Sequence, residues 1–246
     1  MRIAVAGGTG AVGAPVVEAA RAAGHEPVVI ARSTGVDLVT GAGLTAALEG
    51  AEAVIDVSSV TTTSAAESVA FFEQATSRLL RAGADAGVRH HVVLSIVGCD
   101  RVDLGYYLGK RRQEELVLAG PVPATVLRAT QFHEFAEQVL RRTAFGPVVL
   151  APRMRSRPIA AREVAAALVA AAEAEPVGRA PDLAGPQERD VPAMVRQVQR
   201  ARGGHRLVLS VRPPGKLGAQ LSGGGLLPTG PGPLGVETFD EWLARS

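Results

Sequence analysis

Arg2-Ile3-Ala4-Val5-Ala6-Gly7-Gly8-Thr9-Gly10-Ala11-Val12-Gly13 is the stretch on which the fold is decided. Residues 2–6 form a short apolar run that stops at glycine, which reads as a buried strand. The glycines at 7, 10 and 13, with the one at 8, satisfy both the GxxGxxG and the GxGxxG spacing. A helical pattern over 12–23 follows. Glycine at these places lets the backbone turn tightly against a pyrophosphate, and the helix opening offers N–H groups and the positive end of its dipole. Gly7, Thr9, Gly10, Ala11, Val12 and Gly13 are therefore the candidate phosphate-binding residues.

Working outward, near-continuous apolar runs recur at 26–31, 53–58, 91–97 and 124–129, as expected of strands buried on both faces. Helical patterns at 41–49, 64–86 and 106–119 alternate with them. This alternation predicts an α/β fold, a Rossmann-type doubly wound parallel sheet. One connection is too short for a crossover helix: residues 32–36 lead directly to Asp37-Leu38, a possible third strand that is vestigial or has lost its helix. Beyond 130 the pattern loosens. Helices are expected over 163–173 and 191–201, and short strands over 181–185 and 206–211. A Gly/Pro-dense mobile loop over 213–235 is a candidate active-site lid. A docking helix over 238–243 would bury Phe239 and Trp242. A chain of 246 residues suits a single domain, with 1–150 as the dinucleotide-binding core and 151–246 as a smaller, irregular substrate-capping region.

After the second strand, an acid would bind a ribose 2′-hydroxyl and an arginine a 2′-phosphate. Arg32 and Ser33 stand there, with no acid before Asp37, so the expected cofactor is NADP(H). Further on, Tyr106 and Lys110 share a helix face at four-residue spacing. An ammonium there can lower the phenol's pKa and hold a nicotinamide ribose, while the phenol passes a proton to or from a substrate oxygen. Ser95, closing the preceding strand, can hold that oxygen. Tyr107 is a rival for the tyrosine role.

These residues together resemble the short-chain dehydrogenase/reductase superfamily, and within it the atypical, NmrA-like members. The resemblance rests on the glycine turn, Ala31-Arg32-Ser33, Ser95, Tyr106 to Lys110, and Leu127-Arg128-Ala129-Thr130-Gln131-Phe132. It implies a catalytic triad of Ser95, Tyr106 and Lys110, with Lys110 also holding the cofactor. It further implies that Ser58 and Ser59, standing where the family has Asn-Ala-Gly, border the cofactor. The loop after Ala129, with Phe132 and His133, would line the nicotinamide and substrate. Three functions follow as expectations: an NADP(H)-dependent reductase of a carbonyl or related unsaturated group, an NADP-binding redox sensor without turnover, or a dehydratase, epimerase or isomerase.

Composition narrows the partners to a small molecule. The net charge is only +2, aromatics are 4%, and no basic run is interleaved with aromatics, so no nucleic acid is expected. No apolar run reaches the roughly 18–20 residues that cross a bilayer, and no secretory pattern opens the chain, so the expectation is a cytoplasmic protein without a membrane partner. Cys99 is the sole cysteine, which excludes an internal disulfide; it reads as a packing residue. His90 and His91 alternate across a strand and do not share a metal. His133 reads as a substrate contact or an ordinary helix-start histidine. Arg153, Arg155 and Arg157 alternate toward one side, as a solvated face or an attraction for an anion.

Overall fold

The computed structural model describes residues 1–245. The first half runs β1 (Arg2–Ala6), α1 (Gly13–Ala22), β2 (Glu26–Ile30), α2 (Leu44–Leu48), β3 (Ala53–Asp56), α3 (Ala65–Asp85), β4 (His90–Ile96), α4 (Gly105–Leu118) and β5 (Ala124–Ala129). It continues through α5 (Phe135–Arg142), β6 (Ala144–Phe145), β7 (Val148–Pro152), β8 (Arg155–Ser156) and α6 (Ala161–Glu173). The remaining elements are β9 (Gly178–Arg179), β10 (Arg189–Asp190), α7 (Val191–Ala201), β11 (Leu207–Val211), α8 (Gly215–Ser222) and α9 (Phe239–Arg245).

The central sheet has six strands in the order β2-β1-β3-β4-β5-β9, all parallel. Period-two alternation sends each strand's side chains into two layers. Ile3, Val5 and Ile55 pack with Val16 and Val17 of α1 and Leu168 of α6. Ala4, Ala6 and Val54 pack on the other face with Leu44 and Leu48 of α2 and Leu79 of α3. Helices on both faces give the doubly wound layering. The chain leaves β1 toward β2 on one side and returns to place β3 on the other, so the strand order reverses between β1 and β3. Ligands of open α/β sheets bind outside the strand C-termini at such a switch point.

Three expectations change. Asp37-Leu38 is not a strand: Asp37 Oδ1 accepts from the N–H of Val39 (2.7 Å) and Thr40 (3.0 Å), closing a turn. The third Rossmann strand is thus missing, and α2 is the one α-helix between β2 and β3. Residue 150 does not end the Rossmann layer, because α6 covers the sheet and β9 adds its sixth strand. The stretch 213–235 is more than a loop: it contains α8 and buries Leu221 and Leu226.

The rest of the C-terminal part forms a second core. A three-stranded sheet, β11-β7-β6, and a two-stranded one, β10-β8, pack with α5, α7 and α9 around Val149, Met194, Val195, Val198 and Phe239. Phe239 is buried as expected, whereas Trp242 is only half-buried. Residues 181–185 contribute isolated bridges, Leu183 to Ala129 and Ala184 to Leu234, in place of a strand. No helix among the described residues is long and apolar enough to cross a membrane.

Candidate active site

The glycine turn sits at the C-terminal end of β1, and each glycine meets a different neighbour. Gly13 is pressed onto the turn, since a Cβ there would lie 2.0 Å from the Gly7 carbonyl oxygen. Gly7 adopts φ +79° and abuts Val57 and Ser58 at the end of β3. Gly10 is different: its Cβ would meet only the Gly7 oxygen, at 3.2 Å, and its outer side is open. Thr9, Gly10 and Ala11 are exposed. The N–H groups of Thr9, Ala11 and Val12 have no acceptor among the described residues. An exposed turn with free donors before a helix fits the phosphates of a dinucleotide.

Arg32 and Ser33 lie exposed in a single 3-10 turn after β2. Thr34 fixes that turn by donating to the carbonyls of Val29 and Ala31. Asp37, the first acid after β2, is committed to its own loop, and the two backbone N–H groups hold its carboxyl below the usual range. At the end of β3, Asp56 Oδ1 accepts from Ser58 N at 2.9 Å. The buried Ser58 hydroxyl has no partner among the described residues, a feature a bound group in the crevice would relieve. These residues fit a dinucleotide.

The expected triad does not converge. Tyr106 is half-buried, and its hydroxyl lies 2.8 Å from Ser59 Oγ, beyond β3. Ser95 is buried under α4, where its hydroxyl faces Cys99 Sγ at 3.8 Å and Glu114. Lys110, on the same helix face as Tyr106, turns inward: Nζ donates to the Leu94 carbonyl at 2.6 Å and to Gln113 Oε1. It also lies 4.8 Å from the Phe72 ring centre, and that ring packs edge-on against Tyr106. The spacing delivers the shared face, but one turn of α4 separates a rim position from an interior one. A close helix contact sets this depth, because a Cβ on Gly109 would strike Ser68 Oγ at 2.1 Å.

Burial governs the protonation states. Burial raises the Tyr106 phenol above its ordinary value, opposed by the Ser59 hydrogen bond. The expected lowering by the Lys110 ammonium is absent. Burial lowers the Lys110 ammonium to about 8, against the attraction of Asp56, Cys99 and Glu114. Gln113 Nε2 donates to Asp56 Oδ2 at 2.8 Å, so a buried chain runs from Lys110 through Gln113 and Asp56 to the Ser58 N–H at the crevice. The sequence reading missed Asp56 and Gln113, which no local spacing links. Tyr107 is buried, its hydroxyl on the side of Gln131, whose Nε2 has no partner among the described residues.

Two further positions depart from expectation. His133 is wholly buried, walled by Phe239 and Trp242 at 5.8 and 5.7 Å between ring centres. Its Nε2 donates to the Glu237 carbonyl at 3.2 Å, so it anchors the C-terminal segment and does not line a crevice. Phe132 packs against the sheet core and bridges to Ile159. Cys99 is a buried packing residue, its thiol pushed up to about 11 by burial and Glu114. The 153–157 arginines alternate as expected, but Arg155 pairs with Glu188 and Arg157 donates to the Pro186 carbonyl. Among the described residues, no cluster of His, Cys, Asp or Glu is arranged to hold a metal.

No known family model and no curated protein matches the chain. Solved structures do. An NADPH-dependent quinone oxidoreductase of Escherichia coli, complexed with NADPH, aligns over 99% of each chain at TM-score 0.72 and 19% identity. A short-chain dehydrogenase/reductase superfamily protein of Agrobacterium tumefaciens with bound NAD aligns over 100% of this chain and 95% of its own, at TM-score 0.69 and 20% identity. A UDP-N-acetylglucosamine 4-epimerase of Bacillus cereus covers 85% of each chain at TM-score 0.69 and 20% identity. The chain therefore has the Rossmann-type fold of these proteins, and the resemblance to atypical short-chain dehydrogenases/reductases is met at the level of fold.

Proposed function

We propose that the chain is an NADP(H)-dependent oxidoreductase that reduces a carbonyl or related unsaturated group of a small molecule. The observation that carries this reading is the Tyr106–Ser59 hydroxyl pair, 2.8 Å apart, just past the strand end that Gly7 of the open glycine turn abuts. When bound, the nicotinamide cofactor supplies or accepts the hydride. The Thr9, Ala11 and Val12 N–H groups would hold its pyrophosphate beside Gly10, and Arg32 and Ser33 would take the 2′-phosphate. Arginine matches a phosphate in a bidentate way that a hydroxyl cannot reproduce. Tyr106 holds the substrate oxygen and donates a proton to it. The phenol is protonated at neutral pH, the form that donation requires, and burial, by raising its pKa, makes it a weaker acid that releases the proton only to a substrate oxygen gaining negative charge. Ser59 can then donate its own hydrogen to the phenolate left behind.

A second reading is favoured by one observation: Ser95 and Lys110 are both withdrawn from the rim. An NADP-binding sensor without turnover needs neither a hydroxyl to hold a substrate oxygen nor an ammonium to lower the phenol's pKa. Turnover decides between the two. NADPH oxidation is followed over a panel of quinones, ketones, aldehydes and imines, with wild type and Tyr106→Phe. The reductase reading expects a substrate in the panel and a loss in Tyr106→Phe of about 10²–10⁴-fold. Tight NADPH binding with no turnover across the panel selects the sensor.

A further inference from the structure

The small sheet β11-β7-β6 has two unlike faces. Register pairs Val149 with Val208 and with Ala144, and Val149 and Val208 are buried against α5 and α7. The alternate positions point the other way, toward solvent. Phe145 is 84% exposed, Leu207 61%, Leu150 44% and Leu209 41%. Register sets Leu209 beside Leu150 and places Leu207 and Phe145 on either side of Val148, so these side chains form one contiguous apolar patch. Phe145 leads it, at the entrance to the tight Gly146-Pro147 turn. An exposed apolar patch of this kind marks an interaction surface.

Charge identifies the partner. The stretches that supply these strands, 138–159 and 191–236, together hold eleven Arg and Lys and no Asp or Glu, in a chain whose net charge is only +2. Arg142, Arg153, Arg206 and Arg212 enter or leave the strands and are exposed. None of the four has a carboxylate partner among the described residues. The acids that reach these stretches are already paired: Glu137 with Arg202 at 2.6 Å and Arg141 at 3.8 Å, Glu188 with Arg155 at 2.5 Å, and Asp103 with Lys216 at 2.9 Å. An apolar patch rimmed by unneutralised arginines has the chemistry of a surface that lies on anionic lipid: the side chains enter the headgroup boundary and the guanidinium groups meet phosphates.

We propose that this sheet face docks the protein onto an anionic membrane surface. No helix among the described residues is long and apolar enough to cross a membrane, which says nothing about a protein that rests on the bilayer. A second copy is a poorer occupant, because face-to-face pairing would oppose two cationic rims. The free edge of β11 is also capped against strand pairing: Arg196 donates to the Val208 carbonyl at 3.3 Å, and Gln199 donates to that of Arg206. Single-stranded nucleic acid needs aromatic platforms, and this face has one ring among aliphatic side chains.

The test is flotation of the whole protein with vesicles of phosphatidylcholine alone, or of phosphatidylcholine with about a third phosphatidylglycerol. The expected result is binding to the anionic vesicles, little binding to the neutral ones, and loss of binding in about 0.5 M salt, where surface charges are screened. Phe145→Ser combined with Leu207→Ser should weaken binding at least tenfold. Arg153→Gln and Arg206→Gln should each weaken it about fivefold. All four positions are exposed, so the melting temperature and NADPH affinity should not move, which separates this result from misfolding and from any failure of the reductase reading. No binding to anionic vesicles, or equal binding by the Phe145/Leu207 variant, overturns the proposal. So does a wild-type dimer in light scattering that the same variant dissociates, because the face then belongs to a second copy.

Discussion

The glycine turn at 7–13 and the tyrosine–lysine pair on α4 are both defined by spacing, yet only the turn keeps the geometry its spacing implies. The turn is written in backbone sterics. Gly13 leaves no room for a Cβ, Gly7 needs its positive φ, and Gly10 leaves its outer side open. Nothing remote can alter those requirements. The pair on α4 is written in side chains, and a side chain goes where its partners are. Lys110 finds Leu94 O and Gln113 Oε1 inside the fold, while Tyr106 finds Ser59 at the rim. The comparison teaches that glycine spacing fixes a site's shape, whereas polar spacing fixes only a helix face.

The largest effect that could break this comparison belongs to Gly13. Gly13→Val places a side chain into the Gly7 carbonyl, an overlap no rotamer avoids, and should destabilise the fold by more than about 4 kcal/mol. A chemical denaturation curve measures it. A near-normal midpoint would mean that the turn yields and that its backbone reading is too rigid.

The next effect tests the side-chain half. Tyr107→Phe removes a buried hydroxyl that faces Gln131. It should lower stability by about 1 kcal/mol and leave turnover unchanged, in contrast to Tyr106→Phe. If the two variants exchange these effects, the rim residue is Tyr107 and the comparison fails at its most specific point.

His133 offers a smaller effect, read in pH. Its Nε2 donates to Glu237, while Nδ1 is buried without an acceptor, so a second proton would have nowhere to bond. Burial, with Arg162 and Arg189 nearby, depresses its pKa to about 4, against the pull of Glu163. The unfolded chain takes up this proton first as pH falls below the ordinary histidine value. Stability from this residue should therefore decline from about pH 6.5 to about pH 4 and level off below. Thermal melts across that window should show a decline that His133→Asn flattens. An unchanged slope in the variant would place His133 outside the C-terminal anchor.

The same distinction explains what could be read from the sequence. β1 and β5 match their apolar runs end to end, and β2 and β4 fall within a residue of theirs, because burial on both faces leaves a continuous hydrophobic record. Arg32-Ser33 could be located by counting from the turn, since the βα unit has a fixed length. The link from Lys110 to Asp56 could not be read, because it crosses from α4 to β3 through Gln113, a residue with no spacing signature. The burial of His133 also escaped, because it depends on a terminal helix folding back over a loop a hundred residues earlier. The outward apolar face of β11-β7-β6 could not be read, because Val148–Pro152 and Leu207–Val211 are near-continuous apolar runs without alternation and the two strands join residues far apart in the chain.

The central claim, a dinucleotide held against the open side of the glycine turn with its 2′-phosphate on Arg32, is tested most directly by calorimetric titration. NADPH and NADH are titrated into wild type, Gly10→Val and Arg32→Ala. Wild type should bind NADPH at least tenfold tighter than NADH, a difference of about 1.4 kcal/mol. Arg32→Ala should erase that preference by weakening NADPH alone. Gly10→Val should bind neither cofactor while melting like wild type, because its side chain enters only the space reserved for pyrophosphate. Full-affinity NADPH binding by a folded Gly10→Val protein would contradict the account and put the ligand elsewhere on the molecule.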